Sequence, residues 1–267
     1  MRWLACNGSP RGRKSNTHIM LEKIREGMEE ARGPLSARLD WEELFLNRVR
    51  KHEELLDRIA EAEGIIFAYP LYTDSMPGIA LQFLQALCAR REHAEAEGVQ
   101  GSAATRLAHF PPALFLVHSG FPEGVHTAHL PEVHERICGR TGLQYVGTVR
   151  KPGSEGVRLM PTFMLRSLFR TLRDVGAELV SAEIESGAPA DSRSAETGTD
   201  AGTGLRPRIE RQAAGLVRCE RMGQLRRATL WLAAKLGVVN LYWIRMLKEH
   251  GGWKERFDAP YGPSFRR

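Results

Sequence analysis

Only four cysteines, Cys6, Cys88, Cys138 and Cys219, occur in the 267 residues, and no two of them form a C-x-x-C pair. That spacing excludes a zinc ribbon or an iron–sulfur loop and fits reduced thiols in a cytoplasmic chain. Long apolar runs are equally scarce: the stretch from Met1 to Gly8 is too short for a secretory signal peptide. No collagen-like period and no internal repeat occurs. Wholesale disorder is excluded by 42% hydrophobic against 26% charged residues. The net charge of +6 is unevenly spread, because residues 206–267 hold fourteen Lys/Arg against five Asp/Glu and leave the rest slightly acidic. A nucleic-acid-binding fold would carry its basic residues on its own body, so no nucleic-acid partner is expected.

Short apolar runs alternate with helical periods, the pattern of βαβ units. Strands are predicted at Arg2–Asn7, more weakly at 36–45, at Gly64–Tyr69 ahead of Pro70, at Ala113–His118 and at Leu143–Val149. Helices are predicted at 16–31, with Met20, Ile24, Met28 and Ala31 on one face, and at 49–63, with Leu55, Leu56, Ile59 and Ala60 inward. Others follow at 77–91, 130–140 and 162–183. Five strands with intervening helices imply a flavodoxin-like, doubly wound parallel sheet of order 2-1-3-4-5. Residues 186–205 hold four Gly, four Ala, three Ser and three Thr, with Leu205 the only large apolar side chain. They read as a flexible linker between a 1–185 domain and a basic helical extension, 206–267.

Three loops follow predicted strand ends, where open α/β sheets bind ligands. Gly8-Ser9-Pro10-Arg11-Gly12-Arg13-Lys14-Ser15-Asn16-Thr17 joins tight-turning glycines, short hydroxyls, the Arg11 fork and a helix start; such a loop suits a phosphate monoester. Its spacing fits neither a Walker A loop nor a G-x-G-x-x-G fingerprint. Tyr69 to Gly78 offers amides, small polar groups and the Tyr72 ring, which suit a flat heteroaromatic ligand. Ser119 to Gly124 could close the other side of the crevice. Taken singly, each loop also fits an ordinary turn, with Ser15 as a helix cap and Tyr72 on the surface.

Together, G-S-P-R-x₃-S-N-T at 8–17, P-L-Y-x-x-S-M-P-G at 70–78 and S-G-F-P-E at 119–123 resemble the flavodoxin-like NAD(P)H-dependent FMN reductases. The resemblance spans about residues 1–160. It implies FMN as cofactor and NAD(P)H as co-substrate. Ser9, Arg11, Ser15, Asn16 and Thr17 would hold the phosphate. Pro70, Leu71, Tyr72 and Thr73 would flank the ribityl chain and ring, and Ser119, Gly120 and Phe121 would reach the far edge. Electrons would pass to a small acceptor, a quinone, nitro compound or flavin, in a ping-pong cycle that needs no side-chain nucleophile. A flavodoxin-type electron carrier is the alternative, although carriers tend to be strongly acidic and to lack such a tail. A scaffold that has lost its flavin is a third reading, opposed by the intact phosphate loop.

His118, His126, His129 and His134 cluster in sequence without a metal-binding spacing, so no metal is expected. His118 reads as a strand-end residue, the others as loop or helix surface, and Cys6 as a small core residue. In the tail, Ala228 to Ile244 carries one charge, Lys235, between Arg226, Arg227 and Arg245, Lys248. This segment is short for a span. It reads first as a helix buried against its own domain or a second subunit in a homo-oligomer. Peripheral membrane contact through 226–248, with Trp231, Tyr242 and Trp243 at the headgroups, is the alternative.

Overall fold

β1 (Arg2–Asn7) buries Trp3, Leu4, Ala5 and Cys6 in succession, as a strand does when helices cover both faces of its sheet. A computed structural model describes residues 2–33, 39–59, 61–96, 111–187 and 201–217, together with 235, 237, 244, 245 and 248. The chain divides into two compact units, Met1–Glu220 and Arg221–Arg267. In the first, β1 is followed by α1 (Asn16–Arg32), β2 (Asp40–Phe45), α2 (His52–Ile59), β3 (Gly64–Pro70) and α3 (Gly78–Ala96). Then come β4 (Pro112–His118), α4 (Leu130–Thr141), β5 (Gln144–Lys151), α5 (Arg166–Gly187) and α6 (Ala201–Val217).

All five strands run parallel in the order β2-β1-β3-β4-β5, the flavodoxin-like arrangement expected. Side chains alternate between two cores, the period of two that a strand imposes. Trp3, Ala5, Ile66, Ala68, Leu114 and Leu116 face α1, α5 and α6. Leu4, Cys6, Ile65, Phe67, Tyr69 and Phe115 face α2, α3 and α4. Pro70 closes β3 from within, in register with His118.

α1 buries Met20, Ile24 and Met28 as expected, and also Leu21, whereas Ala31 is exposed. The charged segment after β2 opens as a 3-10 turn, Val49–Lys51, before α2. The largest departure lies further on. Residues 201–205, read as linker, are the first turn of α6, so a boundary at 205/206 falls inside a helix. Leu205, Ile209, Ala213 and Leu216 form its buried stripe against β5 and α5. β5 carries a bulge at Val146 and Gly147, and Gly147 (φ +140°) lets Ile209 approach closely. Among the described residues, no helix is long and apolar enough to cross a membrane. Residues 226–248, expected as a buried helix or a membrane contact, lie almost wholly outside the described residues.

Candidate functional site

The strand order reverses between β1 and β3, so the loops after β1, β3 and β4 stand side by side at the carboxyl edge, where a doubly wound sheet opens a crevice. Asn7 ends β1 fully buried. Its Oδ1 accepts from Ser9 N at 2.9 Å and its Nδ2 donates to Glu43 Oε1 at 2.8 Å. The first loop is thereby hung on β2. Gly8 N donates to Ala68 O at 2.8 Å, and a Cβ on Gly8 would lie 3.0 Å from that of Ala80 and 3.1 Å from that of Tyr69. Gly12 adopts φ +53°, which glycine reaches without strain.

Ser15 caps α1. Its hydroxyl donates to Gly12 O at 2.6 Å and accepts from His18 N at 3.1 Å. Thr17, wholly buried, meets His118 Nε2 at 2.8 Å; His118 Nδ1 meets Ser154 Oγ at 2.8 Å, and Ser154 Oγ donates to Ser119 O at 2.9 Å. With His118 neutral, its pKa lowered to about 3 by burial, one arrangement of hydrogens makes all three contacts hydrogen bonds: Ser154 gives its proton to Ser119 O, His118 donates from Nδ1, and Thr17 donates to Nε2. The Thr17 hydroxyl proton is therefore turned away from any ligand. Asn16 Nδ2 is likewise engaged, donating to Ser154 O at 2.8 Å. Of the five residues of this loop assigned to a phosphate, Ser15, Asn16 and Thr17 have their side-chain hydrogens in intramolecular bonds.

The hydrogen-bonding capacity left over is elsewhere. The amides of Asn16 and Thr17 open the helix with no carbonyl one turn back, and the helix end carries partial positive charge. Ser9 Oγ accepts from Arg11 N at 3.3 Å, which leaves its proton to give. Arg11 is exposed, and among the described residues nothing pairs with its guanidinium. These groups fit a phosphate monoester.

The second loop leaves β3 with Leu71 N donating to His118 O at 2.7 Å. Tyr72 and Ser75 exchange backbone bonds of 2.8 and 3.0 Å around Thr73 (φ +49°) and Asp74 (φ +55°), a type I′ turn without glycine. Left-handed conformations at non-glycine residues cost about 1–3 kcal/mol each and gather at ligand clamps. Tyr72 is 47% exposed. In the third loop Ser119 is buried with its hydroxyl on Phe121 O at 2.9 Å, whereas Gly120 and Phe121 are exposed.

Sequence reasoning missed a fourth loop, after β5. Ser154 ties α1 to His118, and Gly153 N donates to Phe121 O at 2.8 Å. The Pro152-Gly153 turn at the end of the fifth predicted strand was the available signal. His118 does end β4, but it is the buried hub of three loops, and burial aided by Lys151 lowers its pKa to about 3. His134 is not a surface residue. It is buried, stacked 3.9 Å from the Phe115 ring and bonded to Tyr69 and Thr148, and burial lowers its pKa to about 3. Cys6 is core, its thiol pushed far up by burial. His18, Glu22 and Glu43 bring ligand-type atoms within 4.8 Å of one another, but His18 Nδ1 and Glu43 Oε2 bond each other at 2.6 Å.

The family model described as NADPH-dependent FMN reductase matches residues 1–105. Among solved structures, a flavone reductase aligns with a TM-score of 0.54 at 15% identity, over 71% of this chain and 65% of its own. An NADH:FMN oxidoreductase in its apo form aligns at 0.47 and 20% identity, over 72% and 96%. An NAD(P)H:quinone oxidoreductase from Methanothermobacter marburgensis aligns at 0.44 and 18%, over 67% and 96%. At these identities the likeness is one of fold. No protein with a curated description matches the sequence. Residues 1–105, which carry the loops after β1 and β3, are thus similar to the NADPH-dependent FMN reductases.

Proposed function

We propose that this protein binds FMN and uses it to pass electrons from NAD(P)H to a small acceptor, a quinone, nitro compound or flavin, by a ping-pong cycle. The observation that carries this reading is the loop after β1, where two first-turn amides, the Ser9 hydroxyl and an Arg11 fork with no partner among the described residues come together beside the switch point. FMN, when bound, supplies a ring that takes a hydride and returns electrons one or two at a time. The chain's own part is placement. Ser9, Arg11 and the amides of Asn16 and Thr17 bind the phosphate, and Ser15 fixes that helix start through its cap. Pro70, Leu71, Tyr72 and Thr73 line the ring on one side, with Ser119, Gly120 and Phe121 on the other. The amide of Thr73 stands outside the hairpin's own bonds, where it can stabilise negative charge on a ligand.

Self-association belongs to the same reading. Leu159, Met160, Phe163 and Met164 lie exposed within six residues of one another, the kind of apolar cluster that marks an interface. The test is to identify the cofactor released by heat, then to mix flavin-loaded protein anaerobically with NADPH and NADH and follow the flavin band. The proposal expects FMN, bleaching with at least one nucleotide, and parallel double-reciprocal lines when a quinone is varied. Release of FAD, or failure to bind added FMN, overturns the assignment. Flavin that bleaches with neither nucleotide makes the protein an electron carrier.

A further inference from the structure

Two loops of the site are joined by a side-chain pair. Asp74 Oδ1 lies 2.8 Å from His126 Nδ1, linking the turn after β3 to the 3-10 turn Gly124–Thr127 after β4. The His126 ring in turn faces that of Phe121, with centroids 5.4 Å apart and planes inclined by 36°. Phe121 has a fixed backbone and a loose side chain. Its carbonyl accepts from Ser119 Oγ and Gly153 N, while the residue is 67% exposed. Asp74 adopts φ +55°, where glycine would sit without cost but would offer no carboxylate.

We infer that the Asp74–His126 pair is a latch that sets the Phe121 ring as one wall of the acceptor site, making His126 and Asp74 positioning residues that favour larger aromatic acceptors. This rests on the flavin-reductase reading above. An aromatic wall gains contact with each added ring of a flat acceptor, provided the wall is held. The pair is exposed, with side-chain accessibilities of 31% for His126 and 61% for Asp74. Exposed pairs bias a loop only about two- to five-fold. So weak a latch lets the wall yield when nicotinamide and acceptor exchange places, yet biases it toward the closed position during capture.

The experiment measures KM and kcat of flavin-loaded protein for 1,4-benzoquinone and 1,4-naphthoquinone, with FMN affinity alongside. It covers the wild type, Asp74→Ala, Asp74→Gly, Asp74→Asn, His126→Ala, Phe121→Ala and the His126→Ala/Phe121→Ala double variant. Asp74→Ala and His126→Ala are expected to raise the naphthoquinone KM about two- to five-fold, to move the benzoquinone KM less, and to leave kcat and FMN affinity unchanged. Asp74→Asn keeps an acceptor for Nδ1–H and should restore the wild-type value, whereas Asp74→Gly relieves the turn and should behave as Asp74→Ala. The double variant should match Phe121→Ala alone, because the latch acts through that ring. Unchanged KM values in both single latch variants, a failure of Asp74→Asn to rescue, or additive effects in the double variant would overturn the latch. Wild-type protein that takes up no flavin would instead sink the functional reading and the latch with it, an outcome visible before any variant is made.

Discussion

Arg11 and Thr17 lie in one loop, yet the hydrogen-bond network gives them opposite duties. Thr17 spends its proton on His118, so Thr17→Val should leave FMN affinity near wild type and cost stability, about 1–3 kcal/mol for an orphaned buried acceptor. Arg11 is exposed and has no partner among the described residues, so Arg11→Ala should leave stability unchanged and weaken FMN by about 1.5–3 kcal/mol. Flavin titration and urea unfolding of both variants check this. If Thr17→Val weakens FMN as much as Arg11→Ala does, the hydrogens run the other way. His118 and His134 add a pH dependence. Each has a folded pKa of about 3 against an ordinary value of 6.5. Above pH 6.5 both are neutral in either state and contribute no difference. As pH falls toward 3 the unfolded chain takes up protons that the folded chain refuses, so stability is lost, at up to about 1.4 kcal/mol per pH unit per histidine. His118→Asn should therefore flatten the decline in urea midpoint between pH 7 and pH 4.5; an unaltered slope would mean that His118 titrates normally in the fold. The loop was legible as a motif, because glycines, hydroxyls and an arginine before a helix are visible in one dimension. Which hydroxyl keeps its proton was not, since that depends on His118 and Ser154, each more than a hundred residues away.

Between elements, the closest approach is the crossing of α1 and α5. A Cβ on Gly27 would lie 2.0 Å from Arg173 O, and one on Gly176 would lie 2.1 Å from Ile24 O. The helices therefore meet backbone to backbone, and Arg173 reaches Glu26 at 3.0 Å across the join. Alanine is the better helix former by about 1 kcal/mol, but at this crossing the clash dominates. Gly27→Ala and Gly176→Ala should each destabilise by about 1–3 kcal/mol. Gly204→Ala in α6, where a Cβ meets nothing within 4 Å, should stabilise by up to about 1 kcal/mol. Urea unfolding of the three variants tests the contrast, and a neutral Gly27→Ala would mean that the helices separate readily. Strands such as Gly64–Pro70 were legible because burial on both faces leaves an unbroken apolar run. α6 was not: its first turn is Gly, Ala and Thr, and its stripe of Ile209, Ala213 and Leu216 begins only where the composition changes. Small residues can start a helix whose anchoring side chains come a turn later.

For the whole molecule, the question is where the flavin domain ends. Composition and charge placed that end at residue 185, with a linker to 205, and the first compact unit runs instead to Glu220. The physical reason is the sheet edge. β5 is the last strand, bulged at Gly147, and Ile209 packs there while Arg206 lies 4.9 Å over the Tyr145 ring and bonds Glu135 and Glu210. Removing α6 would strip Ile209, Ala213 and Leu216 from that core and leave an edge strand open to pair with another chain. Two truncations separate the boundaries. A chain ended after Glu220 should fold, take up FMN as the full chain does and keep its urea midpoint. A chain ended after Leu205 should aggregate or melt at much lower urea, although its phosphate loop is complete. Light scattering and flavin titration of the two decide between them. Equal solubility and midpoint in both would show that α6 contributes little and restore 206–267 as an extension outside the domain. Failure of the longer chain would instead show that residues 221–267 are required for the first unit to fold.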